Sequence, residues 1–211
     1  MSAGTLERPH VFRPATVAAL DAGLPPLLLL HGTGDDEHGL LRLGEALSPG
    51  AALLSPRGTV REGTANRFFR RLREGVFDED DLRLRVDELA SFVRAAQERH
   101  GLGPLHAVGF SNGANTAAAL LLLHPGLLAG AVLVASVPPL AVPPAADLTG
   151  RRVLISNGEH DGMARPEQTG ALAAQLAERG ADVQVLTHPG GHQLVAEHVP
   201  AMQALVGAPQ V

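Results

Sequence analysis

The residues best suited to chemistry fall in three separate stretches, "GFSNG" at 109–113, "GEHDGM" at 158–163 and "HPGGHQL" at 188–194. In the first, Ser111 stands between Gly109 and Gly113, where an apolar run meets an Ala/Leu-rich one. A serine at a sharp strand-to-helix turn is held in a strained backbone conformation, and a side chain at either flanking glycine would collide with the neighbouring strand or helix. The same turn points the Asn112 amide towards the place where a carbonyl oxygen would sit. Serine alone is a weak nucleophile at neutral pH and needs an imidazole to take its proton. The imidazole needs an acceptor on its other nitrogen, which fixes the tautomer and stabilises the cation. Asp161 and His192 match those roles, and the order Ser, Asp, His is the one expected when each follows a different strand of a parallel sheet. The chemistry implied is acyl transfer through a covalent serine intermediate.

Plainer readings exist for each residue. Ser111 could cap a helix, and Asp161 could simply favour the dipole of the helix opening at Pro166. The chain has ten histidines, and His188 competes with His192. His192 stands apart because two glycines precede it in a loop directly after a strand, whereas His188 lies nearer the strand end beside Pro189.

A fourth stretch, "HGTGDDEHG" at 31–39, follows the first strong apolar run. Two glycines allow a tight turn, so the Thr33 amide can pair with that of Asn112 as an oxyanion hole, each donor contributing a few kcal/mol in the transition state. His31, Asp35, Asp36, Glu37 and His38 are metal-ligand types, but acidic residues in a helix's first turn are accounted for by its dipole. The expectation is therefore no metal and no cofactor. Arg67, Arg70, Arg71 and Arg73 cluster before an acidic run at 78–81, which reads as a solvated, internally paired segment anchored by Phe68 or Phe69 along the pocket wall.

The elements that must position these loops are legible as alternation. Apolar runs at 25–31, 51–55, 105–110, 130–136, 152–157 and 182–187 read as strands. Helical spacing covers 37–47, 78–100, 112–124, 166–179 and about 195–206. Leu82, Val86, Leu89 and Val93 fall on one face of the 78–100 helix, with acids at its start and Gly101 after its end. Strands alternating with helices predict a parallel, doubly wound sheet covered on both faces, with chemistry at the carboxyl ends of its strands. Only about fifteen residues, four of them prolines, separate the strands at 130–136 and 152–157. That is too little for a cap domain.

The 211 residues are read as one domain, with residues 1–24 the least defined part. A net charge of −5 and the absence of cysteine argue against a nucleic-acid surface, disulfides and thiolate sites. The start "MSAGTLERPH" has no signal-like pattern, and no apolar run is long enough to span a bilayer. A soluble, cytoplasmic protein is the expectation.

Taken together, "LLLLHGTGDDE", "LSPRGTVREGTANRFFRRLREGVFDEDDL", "VGFSNGAN", "NGEHDGM" and "PGGHQL" resemble the phospholipase/carboxylesterase family of α/β-hydrolases, which includes the acyl-protein thioesterases. The "SPRG…RFFRRL…GVFDEDDL" segment is most similar to its small bacterial carboxylesterase branch, some members of which are linked to hydroquinone or quinone stress. The likeness runs from about residue 26 onward. It departs from the branch at Asp35, where a second glycine is usual, and at Gly162, where proline is common. The resemblance implies an α/β-hydrolase fold without a cap. It implies Ser111 as nucleophile, Asp161 as acid, His192 as base, and the Thr33 and Asn112 amides as oxyanion donors. His31, Gly32, Phe69 and Met163 are the candidate pocket residues. The implied function is a serine carboxylesterase for small or short-chain esters. The alternatives are an acyl-thioesterase or lysophospholipase-type deacylase, or a ligand-binding protein with vestigial activity. A homodimer is common among relatives.

Overall fold

The computed structural model describes residues 8–207. In chain order the elements are β1 (His10–Arg13), α1 (Val17–Asp21), β2 (Leu27–Leu30), α2 (Leu41–Leu47), β3 (Leu53–Pro56), β4 (Val60–Glu62), β5 (Ala65–Arg67), β6 (Arg71–Arg73), β7 (Val76–Phe77), α3 (Glu79–His100), β8 (Leu105–Phe110), α4 (Asn112–Leu123), β9 (Leu128–Val134), β10 (Arg152–Gly158), α5 (Pro166–Ala177), β11 (Asp182–His188) and α6 (Val199–Val206). Seven strands form the central sheet in the order β1-β3-β2-β8-β9-β10-β11. All its pairings are parallel except β1 with β3. This is the α/β-hydrolase fold, a mostly parallel sheet with helices on both faces.

The four leucines of β2 show why the sheet is covered twice. Successive strand residues point to opposite faces. Leu28 and Leu30 join the core formed with α3, α4 and α5, while Leu27 and Leu29 join the core formed with α2 and α6. All four are fully buried, each contributing on the order of 2 kcal/mol of apolar transfer energy. The long helix α3 is bounded by side-chain chemistry. The Asp78 carboxylate accepts the Asp81 N–H at 3.1 Å, three acids occupy the first turn, and Gly101 closes the helix at φ 64°. Its expected face of Leu82, Val86, Leu89 and Val93 is buried.

Several expectations are corrected. The helix read over 37–47 starts only at Leu41, with no acid in its first turn. The run 35–37 therefore does not serve a helix dipole. Asp35 and Asp36 instead accept backbone N–H groups of Asp36 and His38, and Glu37 is held by Arg57 at 2.5 and 2.7 Å. The segment 64–81 holds β5, which pairs with β4 just before it, the β6–β7 hairpin and the first residues of α3. β1 and α1 lie within residues 1–24, whose first seven residues fall outside the described part, as does the signal-free start read from the sequence. The final helix begins with a short 3-10 turn at Ala196–His198.

Candidate active site

Ser111 occupies the junction between β8 and α4 with φ 52° and ψ −115°, a conformation that L-residues avoid and that costs on the order of 1–3 kcal/mol. The surroundings hold it there. Its N–H donates to Val134 O at 2.8 Å, and its carbonyl accepts from Asn115 N–H at 2.9 Å. The two glycines permit the close packing that makes the turn sharp. A Cβ on Gly109 would lie 2.6 Å from Ala114 Cα, and one on Gly113 would overlap the Leu30 carbonyl. The Ser111 side chain makes no capping bond to α4, which leaves its hydroxyl for other partners.

That partner is His192. Its Nε2 lies 2.9 Å from Ser111 Oγ, and its Nδ1 lies 2.7 Å from Asp161 Oδ2. The Asp161 side chain is fully buried, and its second oxygen accepts N–H groups from Met163 and Ala164 at 2.8 and 3.0 Å. With Oδ1 occupied by these amides, Oδ2 is oriented at the imidazole, so Nδ1 carries the proton and Nε2 is the acceptor for the serine hydroxyl. Two loops bring these residues together. The acid loop follows β10 and the histidine loop follows β11, and the two are laced by Glu159 N–H to His188 O at 2.8 Å and His160 N–H to Gly190 O at 3.1 Å. A Cβ on Gly158 would overlap the Gly190 and Gly191 carbonyls. His188, the competing histidine, is buried and accepts the Gly190 N–H at 3.1 Å, bracing the loop from which His192 projects.

Ser111, His192, Asn112, Thr33 and Met163 all line a cavity of about 800 Å³. The backbone N–H groups of Thr33 and Asn112 take no partner among the described residues. Thr33 sits on a loop clamped by the β4–β5 hairpin. Gly34 N–H donates to Asn66 O at 2.9 Å, Asn66 Nδ2 donates to Asp35 O at 2.8 Å, and Arg67 Nη1 donates to Thr33 Oγ1 at 3.0 Å. On the other side, the Asn112 side chain accepts the Phe68 N–H at 2.7 Å. The hairpin segment thus touches both would-be oxyanion donors.

Three of the four expected pocket residues lie behind the wall. Phe69 is wholly buried in the core against Phe77. His31 is buried, with Nδ1 donating to Gly32 O at 2.7 Å and Nε2 accepting the Gly58 N–H at 3.0 Å. Burial holds its pKa below the usual imidazole value, so it is a neutral brace for the oxyanion loop. Gly32 packs under the Phe110 ring. Only Met163 reaches the cavity. Its other walls come from residues the sequence did not single out for this place, chiefly Arg67, Arg71, Glu74, Phe77, Arg165 and Gln168. The nearest signal for the first two was the arginine cluster, read as solvated. Arg67 is only 4% exposed. Among the described residues no cluster of side chains is arranged to hold a metal ion, and no helix is long and apolar enough to cross a membrane.

The architecture has clear counterparts. The family described as the alpha/beta hydrolase fold matches residues 25–152, and the chain belongs to that family. Within it, MhqD of Bacillus subtilis (strain 168), which carries the name of a hydrolase, is 45% identical over 170 residues, covering 80% of this chain and 85% of its own. The crystal structure of the Bacillus cereus carboxylesterase matches with a TM-score of 0.89 at 38% identity, covering 94% of this chain and 92% of that one. The carboxylesterase from Mesorhizobium loti matches with a TM-score of 0.82 at 34% identity, covering 90% and 93%. The chain is a hydrolase-fold protein with bacterial carboxylesterases as structural neighbours.

Proposed function

We propose that the protein is a serine carboxylesterase acting on small or short-chain carboxylic esters through an acyl-enzyme on Ser111. The observation that carries this reading is the pair of contacts made by His192, 2.9 Å to Ser111 Oγ and 2.7 Å to Asp161 Oδ2. Ser111 Oγ attacks the ester carbonyl while His192 Nε2 takes its proton, and Asp161 stabilises the imidazolium. The developing oxyanion is received by the Thr33 and Asn112 N–H groups, the latter at the positive end of α4. Collapse of the tetrahedral adduct breaks the bond to the alcohol, which leaves with the proton from His192. A water then gives its proton to His192 and attacks the acyl carbon, releasing the acid and restoring Ser111. No step calls for a cofactor.

The segment between β9 and β10, residues 135–151, contains no helix or strand, so no cap domain is inserted there. The same machinery would cleave thioesters, and relative kcat/KM on matched 4-nitrophenyl esters and acyl-thioesters ranks the two. The test is labelling with a fluorophosphonate probe together with a 4-nitrophenyl ester series from acetate to octanoate. Labelling and turnover should both disappear in Ser111→Ala, with the highest kcat/KM at the short end. Full labelling and turnover by Ser111→Ala would overturn the mechanism. A maximum at octanoate would overturn the short-chain preference.

A further inference from the structure

Although the chain carries a net charge of −5, three arginines, Arg67, Arg71 and Arg165, line the cavity beside Ser111. Arg67 is the unusual one, because a charged residue only 4% exposed is costly unless fully paired. Its Nε donates to Phe69 O at 3.1 Å, and its Nη1 serves both Thr33 Oγ1 at 3.0 Å and Glu62 at 3.1 Å. Its Nη2 has no partner among the described residues. Desolvation accordingly holds its pKa below the ordinary arginine value.

Arg71 depends on the same carboxylate. Its Nε and Nη2 lie 3.0 and 2.7 Å from Glu62 Oε1, and Nη1 has no partner among the described residues. One carboxylate thus serves two guanidinium groups, and one positive charge stays uncompensated at the cavity wall. Arg165 takes no ion pair among the described residues. It stands at the N-cap of the twelve-residue helix α5, whose dipole adds positive potential there. Among the described residues, the one carboxylate that itself lines the cavity is that of Glu74, at the exposed turn of the β6–β7 hairpin. Asp161 does not itself line the cavity, and its oxygens are engaged by His192 and by two backbone amides.

Bracing the oxyanion loop uses Nε and Nη1 of Arg67 only. It does not account for the free Nη2, for Arg71 Nη1, or for Arg165. We propose that the cavity selects esters bearing a free carboxylate, which Arg67 Nη2 and Arg71 Nη1 bind, with Arg165 as a second cation, while Ser111 attacks the ester carbonyl. This rests on the esterase reading and narrows its substrate class. A carboxylate supplies the charge-assisted bonds that Glu62 alone cannot complete. Binding strengthens in a partly desolvated cavity and weakens as salt screens it.

The test compares matched charged and neutral esters on the whole protein. Monoethyl adipate against diethyl adipate places the carboxylate on the acyl side. 4-Acetoxybenzoate against its methyl ester places it on the alcohol side. In at least one pair the charged member should be preferred by about tenfold or more in kcat/KM, chiefly through KM. That ratio should fall as sodium chloride is raised and should drop by about tenfold in the Arg71→Gln/Arg165→Gln double variant. Arg94→Gln, on α3 and away from the cavity, should leave the ratio where it was. Neutral members hydrolysed as well as charged ones in both pairs would overturn the inference while leaving the esterase reading intact. So would a ratio indifferent to salt, a readout that needs no variant to fold. Hydrolysis of neither member of either pair, with no probe labelling, would instead overturn the esterase reading and this inference with it.

Discussion

His192 Nδ1 lies 2.7 Å from Asp161 Oδ2, and the other Asp161 oxygen is already committed to the N–H groups of Met163 and Ala164. The carboxylate is therefore fixed in rotation as well as position, and the imidazole tautomer follows from it. Asp161→Asn should keep its carbonyl on the two amides and turn its NH2 toward Nδ1. Nδ1 must then accept, which moves the ring proton to Nε2, where it cannot receive the proton of Ser111. The expected result is a fall of about 10³- to 10⁴-fold in kcat/KM for 4-nitrophenyl acetate, with the fold retained. A variant keeping more than about a tenth of the activity would remove Asp161 from the mechanism.

Ser111 holds φ 52° and ψ −115° whether or not its hydroxyl is present, so the strain belongs to the backbone. Ser111→Ala loses the proposed nucleophile and keeps the strain, whereas Ser111→Gly loses both. The glycine variant should be more stable than the alanine variant by about 1 kcal/mol, the relieved strain exceeding glycine's extra chain entropy. Urea denaturation midpoints of the two inactive proteins decide it. An alanine variant as stable as the glycine variant would mean that the turn stores no strain.

Gly113 marks where α4 meets β2 most closely. An added Cβ would overlap the Leu30 carbonyl and lie 2.5 Å from the His31 carbonyl, and neither backbone group can rotate away. Gly113→Ala should cost about 3 kcal/mol or more and displace Ser111 and the Asn112 N–H together. Gly126→Ala, with nothing within 4 Å of the new methyl, should change stability by no more than about 0.5 kcal/mol. Thermal melts of the pair, with ester turnover on each, check both halves of the contrast.

Of the three candidate site residues, Ser111 and Asp161 could be read from the chain because each follows a strand with a strong apolar signature, whereas His192 follows the largely exposed β11 and is marked only by the two glycines before it. β8, β9 and β10 are almost wholly buried, and their hydrophobic runs announce the loops that end them. The cavity walls carry no such signature. β4 to β7 are only two or three residues long, too short for any period, and their arginines resemble a solvated face. Arg67 is buried because its guanidinium finds Phe69 O, Thr33 Oγ1 and Glu62, and contacts across 34 residues leave no local pattern. β1 has no local signature for a related reason. "HVFR" earns its place by pairing antiparallel with β3, a partner forty or more residues away. Phe68 and Phe69 are both buried and neither lines the cavity, since an aromatic ring signals burial without saying on which side of a wall it lies.

His106 at the start of β8 makes stability depend on pH independently of the site. It is 2% exposed, and neither ring nitrogen has a hydrogen-bond partner among the described residues. Burial, reinforced by Arg152, pushes its pKa down to about 4. Between pH 6.5 and 4 the unfolded chain binds a proton at this residue and the folded chain does not. Stability is therefore unaffected by His106 above pH 6.5 and is lost progressively as pH falls, by about 3 kcal/mol in all near pH 4. His31, also held below its usual value by burial, acts in the same direction. His106→Leu removes the titrating group and its two unpartnered nitrogens. It should raise stability at pH 7 by about 1 kcal/mol and flatten the acid limb of the stability profile, with ester hydrolysis at Ser111 unchanged in mechanism. Chemical denaturation of both proteins across pH 4 to 8 measures the difference, and an acid limb of equal slope in the two would show that His106 is protonated in the folded state.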